Sequence, residues 1–145
     1  MKSKAKSIFK VDASMIPVFT LLIVTGIGIH LASENGNRHS WIVWSVLHVV
    51  CAVAFLVPAS FHVKQHIGWF KTLLKGNTKG RGVTIVLTLM MLAEIISGVI
   101  LLTFVDGDGS FWGRFHWIAG IMLAVIGTGH CIRRFGRLKK GFQGK

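Results

Sequence analysis

Four long apolar blocks, Ser14–Leu31, Trp41–His62, Gly82–Val105 and Phe111–Ile132, take up most of a chain of 145 residues. About 30 Å of hydrocarbon is crossed by roughly 20 helical residues at 1.5 Å each, so every block is long enough to span a bilayer. Inside lipid the backbone must satisfy its own hydrogen bonds, and isolated apolar blocks do this as helices. The pattern predicts an all-α membrane protein: a four-transmembrane-helix up-down bundle forming a single domain over residues 1–145. The remainder is too short for a soluble domain, and no internal repeat, linker or low-complexity tract is expected. Ser14–Leu31 has no small-residue cleavage site before the next polar loop and reads as a retained span.

Charge sets the expected orientation. The chain carries 17 Lys and Arg against 5 Asp and Glu, for a net charge of +12, while only 15% of its residues are charged. Lys2, Lys4, Lys6 and Lys10 precede the first span, and Lys64, Lys71, Lys75, Lys79 and Arg81 follow the second. Arg133, Arg134, Arg137, Lys139, Lys140 and Lys145 follow the fourth, which leaves Arg38 and Arg114 for the opposite side together with Glu34, Asp106 and Asp108. The positive-inside rule then places both termini in the cytoplasm. The basic excess therefore reports topology and contact with anionic lipid heads, not nucleic acid. Trp41, Trp44, Trp112 and Trp117 gather at the outer ends of spans two and four, with Trp69 inside, as interfacial anchors do. Pro17 is expected in the first turn of its helix, and Pro58 is expected to kink the second span or be accommodated by its neighbours. Cys51 and Cys131 read as small buried apolar residues, and the absence of a Cys-x-x-Cys-His run excludes covalent c-type haem.

Seven histidines are many for a chain this apolar, and ionisable residues inside spans are costly and usually functional. His48 and His62 on span two stand 14 residues apart, as do His116 and His130 on span four. Fourteen residues amount to four helical turns less about 40°, so each pair shares a face, with about 21 Å along the axis between its members. In an up-down bundle these two spans run in the same direction. His48 then lies at the depth of His116 near the outside, and His62 at the depth of His130 near the inside. A low-spin haem iron takes one imidazole on each face of the porphyrin. Zinc would call for a tetrahedral set completed by Cys or carboxylate, and a di-iron centre for several inward carboxylates. The spacing therefore points to two haem b groups, with His48 and His116 on the outer iron and His62 and His130 on the inner.

Other residues are assigned around these. Gly120, one turn after His116, and Gly127, three before His130, together with Gly26, Gly28 and Gly98, permit close approach of a macrocycle or of another helix. His66 competes with His62 as inner ligand or bonds a propionate or quinone oxygen. His30 competes with His48 or lines a quinone pocket, whereas His39 reads as an exposed loop residue. Arg114 is placed to pair with an outer propionate, with Arg38 as a second candidate, and Lys64, Arg133 and Arg134 could do the same at the inner haem; each reads equally well as a snorkelling interfacial charge. Glu94, the one acid in span three, is read as a proton relay or as a structural hydrogen bond to a neighbouring helix. Asp12 reads as a helix N-terminal residue favoured by the dipole.

The paired His-x13-His arrangement resembles b-type cytochromes, including cytochrome b of quinol-oxidising complexes and the four-helix membrane subunits of formate dehydrogenases and hydrogenases. The stretch Leu47-His48 … Phe61-His62-Val63-Lys64-Gln65-His66 … Trp69-Phe70-Lys71, with His116-Trp117 … Gly120 … His130, resembles a bacterial family of four-helix membrane proteins over nearly the whole chain. The resemblance implies the bacterial cytoplasmic membrane. It also implies electron exchange with quinone or quinol at one end and with a partner redox protein or subunit at the other. One departure stands out. The formate dehydrogenase subunit uses a first-helix His near the cytoplasmic face, and the only first-helix histidine here, His30, lies at the outer end. Two alternatives stand beside the electron carrier: a small proton or ion transporter using Glu94 and the histidines, and a cofactor-free membrane anchor. The sequence leaves oligomeric state open, a homo-oligomer included.

Overall fold

The computed structural model describes residues 2–75, 81–104 and 110–142, apart from the side chains of residues 2–6, 73–74 and 137–142. Lys79, Val105, Asp106, Asp108 and Lys145 thus lie outside the described residues, as do the side chains of Lys2, Lys4, Lys6, Arg137, Lys139 and Lys140. Among the described residues all regular structure is helical: α1 (Lys2–Glu34), α2 (Arg38–Gln65), α3 (Ile67–Leu74), α4 (Gly82–Thr103) and α5 (Phe111–Phe142). Four of these are long and apolar enough to cross a membrane, over Ser7–Glu34, Arg38–Gln65, Gly82–Thr103 and Phe111–Gly136. Their surfaces fit that medium: Val53, Val57, Leu89, Val125 and Ile132 are each more than half exposed. Apolar surface costs about 25 cal/mol per Å² in water and nothing against lipid tails. The chain is a multi-pass membrane protein whose helices contact lipid.

Two compact units make up the chain, Met1–Thr78 with Cys131–Lys145, and Lys79–His130. In the first, α1 and α2 form a hairpin closed by a tight turn. Gly36 adopts φ +62°, a left-handed conformation that costs a side chain about 1–2 kcal/mol. Its N–H bonds the Ser33 carbonyl at 2.9 Å, and Asn37 N–H bonds the Ala32 carbonyl at 3.0 Å, the paired bonds of a Schellman C-cap. Asn37 also caps α2, its side chain accepting the Ser40 N–H at 3.0 Å. One three-residue connection therefore ends one helix and starts the next. Contacts then pair residues farther and farther from the turn, from Thr25 with His48 through Phe19 with Phe55 to Asp12 with His62. The buried positions of this unit are small or aromatic: Thr25, Gly28, Ala32 and Phe55.

Three sequence expectations change here. Because α1 starts at Lys2, Pro17 lies in its interior, where the missing N–H removes the helical bond to the Ala13 carbonyl. Asp12 likewise sits ten residues into the helix and cannot act as its N-terminal residue. Helix α2 is continuous through Pro58 and breaks at His66, whose N–H bonds the carbonyls of His62 and Val63 at 3.1 Å each. Helix α3, not expected from the sequence, begins directly after that break, with Trp69 and Phe70 rings edge to face at 4.9 Å. In the second unit, α4 and the first part of α5 meet through Ser97, fully buried, and His116, with Ala119 also buried.

Candidate cofactor-holding histidines

In the first unit, His48 of α2 is held by α1. Its Nδ1 lies 2.9 Å from the Thr25 hydroxyl oxygen, a group with 4% exposure. The hydroxyl has one proton, and Thr25 Oγ1 donates it to the Leu21 carbonyl at 2.8 Å, with Leu22 O at 3.1 Å as a second acceptor. With the proton given to that carbonyl the oxygen accepts from His48, the arrangement in which the ring proton sits on Nδ1 and the lone pair on Nε2. The Leu22 backbone is a further hydrogen-bond partner of the ring. Gly26, the next residue along α1, packs on the imidazole, where a Cβ would stand 3.4 Å from Cε1. Gly28 receives the Trp44 indole so closely that a Cβ would overlap it.

The second unit repeats the device. His116 Nδ1 lies 2.8 Å from the Ser97 hydroxyl, which donates to the Ala93 carbonyl at 2.7 Å, so the same argument assigns the proton to Nδ1. Gly98 packs on the ring with a Cβ position 3.4 Å from Cε1. Thr25-Gly26 and Ser97-Gly98 thus do one job on two helices. In both units the histidine follows a tryptophan by four residues and precedes another histidine by 14, at Trp44-His48-His62 and Trp112-His116-His130. The correspondence is confined to these positions. Its signal was legible as a constant offset along α2 and α5, but each half matches at too few positions to stand out.

Glu94 brings a carboxylate to the same site. Its Oε2 lies 3.3 Å from His116 Nδ1, and its side chain is 14% exposed. Gly120 of α5 makes room for it, with a Cβ position 3.5 Å from Oε2. Glu94 Oε1 is buried and has no hydrogen-bond partner among the described residues.

At the far end of the first hairpin, His62 Nδ1 lies 2.8 Å from Asp12 Oδ1. The carboxylate oxygen accepts and Nδ1 donates, which leaves Nε2 on the far side of the ring from the pair. Gln65 Nε2 donates to Ser7 Oγ at 3.2 Å one turn further on. The His66 ring centroid stands 4.7 Å from that of His62 at 51°. Burial, then the neighbouring His62 and the Arg134 guanidinium, hold His66 below the ordinary imidazole range against the opposing pull of Asp12.

Thr25, Ser97 and Asp12 are the site residues that the sequence reading missed or misassigned. A single hydroxyl in an apolar span and an acid before a predicted span carry no signal until a partner helix is known. His48, His62 and His66 all lie in the first unit, where Asp12 joins the last two, whereas His48 takes its own partners from higher up α1. His116, His130, Arg114 and Gly120 lie in the second, with Arg114 exposed and His130 half-buried on α5. His30 is half-buried near the end of α1, and His39 is exposed in the first turn of α2.

An imidazole whose Nδ1 is committed presents Nε2, the nitrogen a haem iron takes, so His48, His62 and His116 fit that group. Set beside protein-family models, curated proteins and solved structures, the chain matches none of them.

Proposed function

We propose that the chain is a b-type cytochrome that carries electrons across a bacterial cytoplasmic membrane as an up-down bundle with both termini in the cytoplasm. His48 and His116 serve as ligands of an outer haem b, and His62 and His130 of an inner one. The observation that carries this reading is the repeated clamp: Thr25 on His48 at 2.9 Å and Ser97 on His116 at 2.8 Å, each fixing the tautomer whose Nε2 ligates metal. Bound haem supplies one-electron exchange at iron. The chain supplies everything else. Thr25, Ser97 and Asp12 orient the imidazoles, so that little rotamer freedom is lost on ligation. Gly26 and Gly98 let each ring lie against the neighbouring helix. Arg114 and Arg134 are candidates to pair with propionates.

The two histidine levels of α2 are about 21 Å apart along its axis. An electron moved that far crosses about two-thirds of the hydrocarbon, worth about 1.5 kcal/mol per 100 mV of membrane potential. Exchange with the quinone pool at one end and a redox subunit at the other is the assignment that the resemblance to b-type cytochromes supports.

Single-histidine variants test the ligand sets. Replacing His48 or His116 by Ala removes one and the same haem, and replacing His62 or His130 removes the other, as read from haem content per chain and from redox titration. Retention of both haems in all four variants would reject the assignment. A second reading, proton conduction, draws support from the carboxylate–imidazole contacts Asp12–His62 and Glu94–His116. It predicts proton flux through vesicles containing haem-free protein, which the electron carrier does not.

A further inference from the structure

The end of the first hairpin holds a set of metal-type donors that shares His62 with the proposed inner haem. Asp12 on α1, with His62 and His66 on α2 and its cap, offer ligand atoms that all lie within 4.8 Å of one another. His62 and His66 are one helical turn apart, the spacing that puts two imidazoles on one helix face toward a single ion. Their rings are tilted 51° rather than stacked. The backbone of His66 is fixed by its capping bonds to His62 and Val63. Asp12 and His62 are each about one-third exposed, which leaves room for water ligands and a path for an ion.

We propose that Asp12, His62 and His66 form a binding site for a first-row divalent transition-metal ion such as Zn²⁺ or Co²⁺. Two imidazoles and one carboxylate, with further positions taken by water, make a set suited to these ions and poor for Mg²⁺ or Ca²⁺, which take oxygen. Bonds of about 2.0–2.1 Å in a tetrahedron separate ligand atoms by about 3.4 Å. The present 2.8 Å between Asp12 Oδ1 and His62 Nδ1 opens to that by side-chain rotation alone. On binding, the ion takes Nδ1, the proton there leaves to solvent and Nε2 takes one up from solvent, so the imidazole stays neutral and Asp12 contributes the one negative charge among the ligands. Arg134 near His66 opposes the ion, and Asp12 offsets it. The site lies within one unit and does not rest on the haem reading. Where an inner haem occupies His62, the ion and the haem exclude each other, since one neutral imidazole serves one metal.

Co²⁺ is the probe, added to the full-length chain in detergent, expressed without haem precursor and checked for helicity by circular dichroism. One Co²⁺ per chain is expected, with visible ligand-field bands. Asp12→Asn and His66→Gln each weaken binding by more than about tenfold, as loss of a ligand requires, while His39→Gln leaves it unchanged. No saturable binding by the helical protein, or Asp12→Asn and His66→Gln variants that bind as the parent does, would overturn the proposal. Haem binding is scored separately from the reduced spectrum, so failure of either reading leaves the other standing.

Discussion

At the scale of single residues, the decisive groups are two hydroxyls and a carboxylate that choose which nitrogen of a histidine carries its proton. Thr25 and Ser97 each place a hydroxyl between a carbonyl one turn back and the imidazole Nδ1, so that a proton given to the carbonyl leaves the oxygen to accept from the ring. Thr25→Val removes that acceptor and leaves the buried ring with the Leu22 backbone as its hydrogen-bond partner. The cost is about 1 kcal/mol, and Thr25→Ser restores it. Denaturant unfolding of the two variants checks the stability, and ¹⁵N shifts of His48 report the tautomer, which only the Val variant loosens. The His-x13-His spacing made the imidazoles themselves legible, because helical period converts sequence distance into a shared face. Their holders were not legible. A Thr-Gly or Ser-Gly pair in an apolar span reads equally as packing, and its meaning depends on which residue of another helix arrives opposite.

At the scale of elements, the four apolar blocks were read where hydropathy is dense, and α1, α2 and α5 run on beyond theirs. Helix α1 continues back from Ser14 to Lys2, and α5 on from Ile132 to Phe142. Helix formation depends on backbone propensity and partners, whereas the span reading sees only what prefers lipid. That difference hid the role of Asp12. The α1–α2 connection, by contrast, spells its own geometry, with Gly36 in the left-handed position and Asn37 as cap. Gly36→Ala should lower stability by about 1 kcal/mol, measurable by thermal unfolding in detergent. Helix α3 escaped notice because eight residues are too few to declare a period. The break before it leaves His66 with an imidazole held below its ordinary value of 6.5. As pH falls, the unfolded chain binds this proton first, so His66 makes the native state lose stability from about pH 6.5 downward until the lower native value is passed. His66→Gln should flatten that part of the stability profile.

At the scale of the whole molecule, four lipid-compatible helices followed directly from the sequence, because a bilayer leaves so few solutions for long apolar segments. The two-unit organisation did not, and neither did the recurrence of one histidine clamp in both units. A chain that builds the same holder twice presents two equivalent imidazoles, here proposed as the two ligands of the outer haem. The most direct measurement is the dithionite-reduced spectrum and haem content of full-length protein purified from haem-replete cells. The account predicts the sharp α band of bis-histidine haem b at a stoichiometry of two per chain. A helical, haem-free protein with no such band would contradict it.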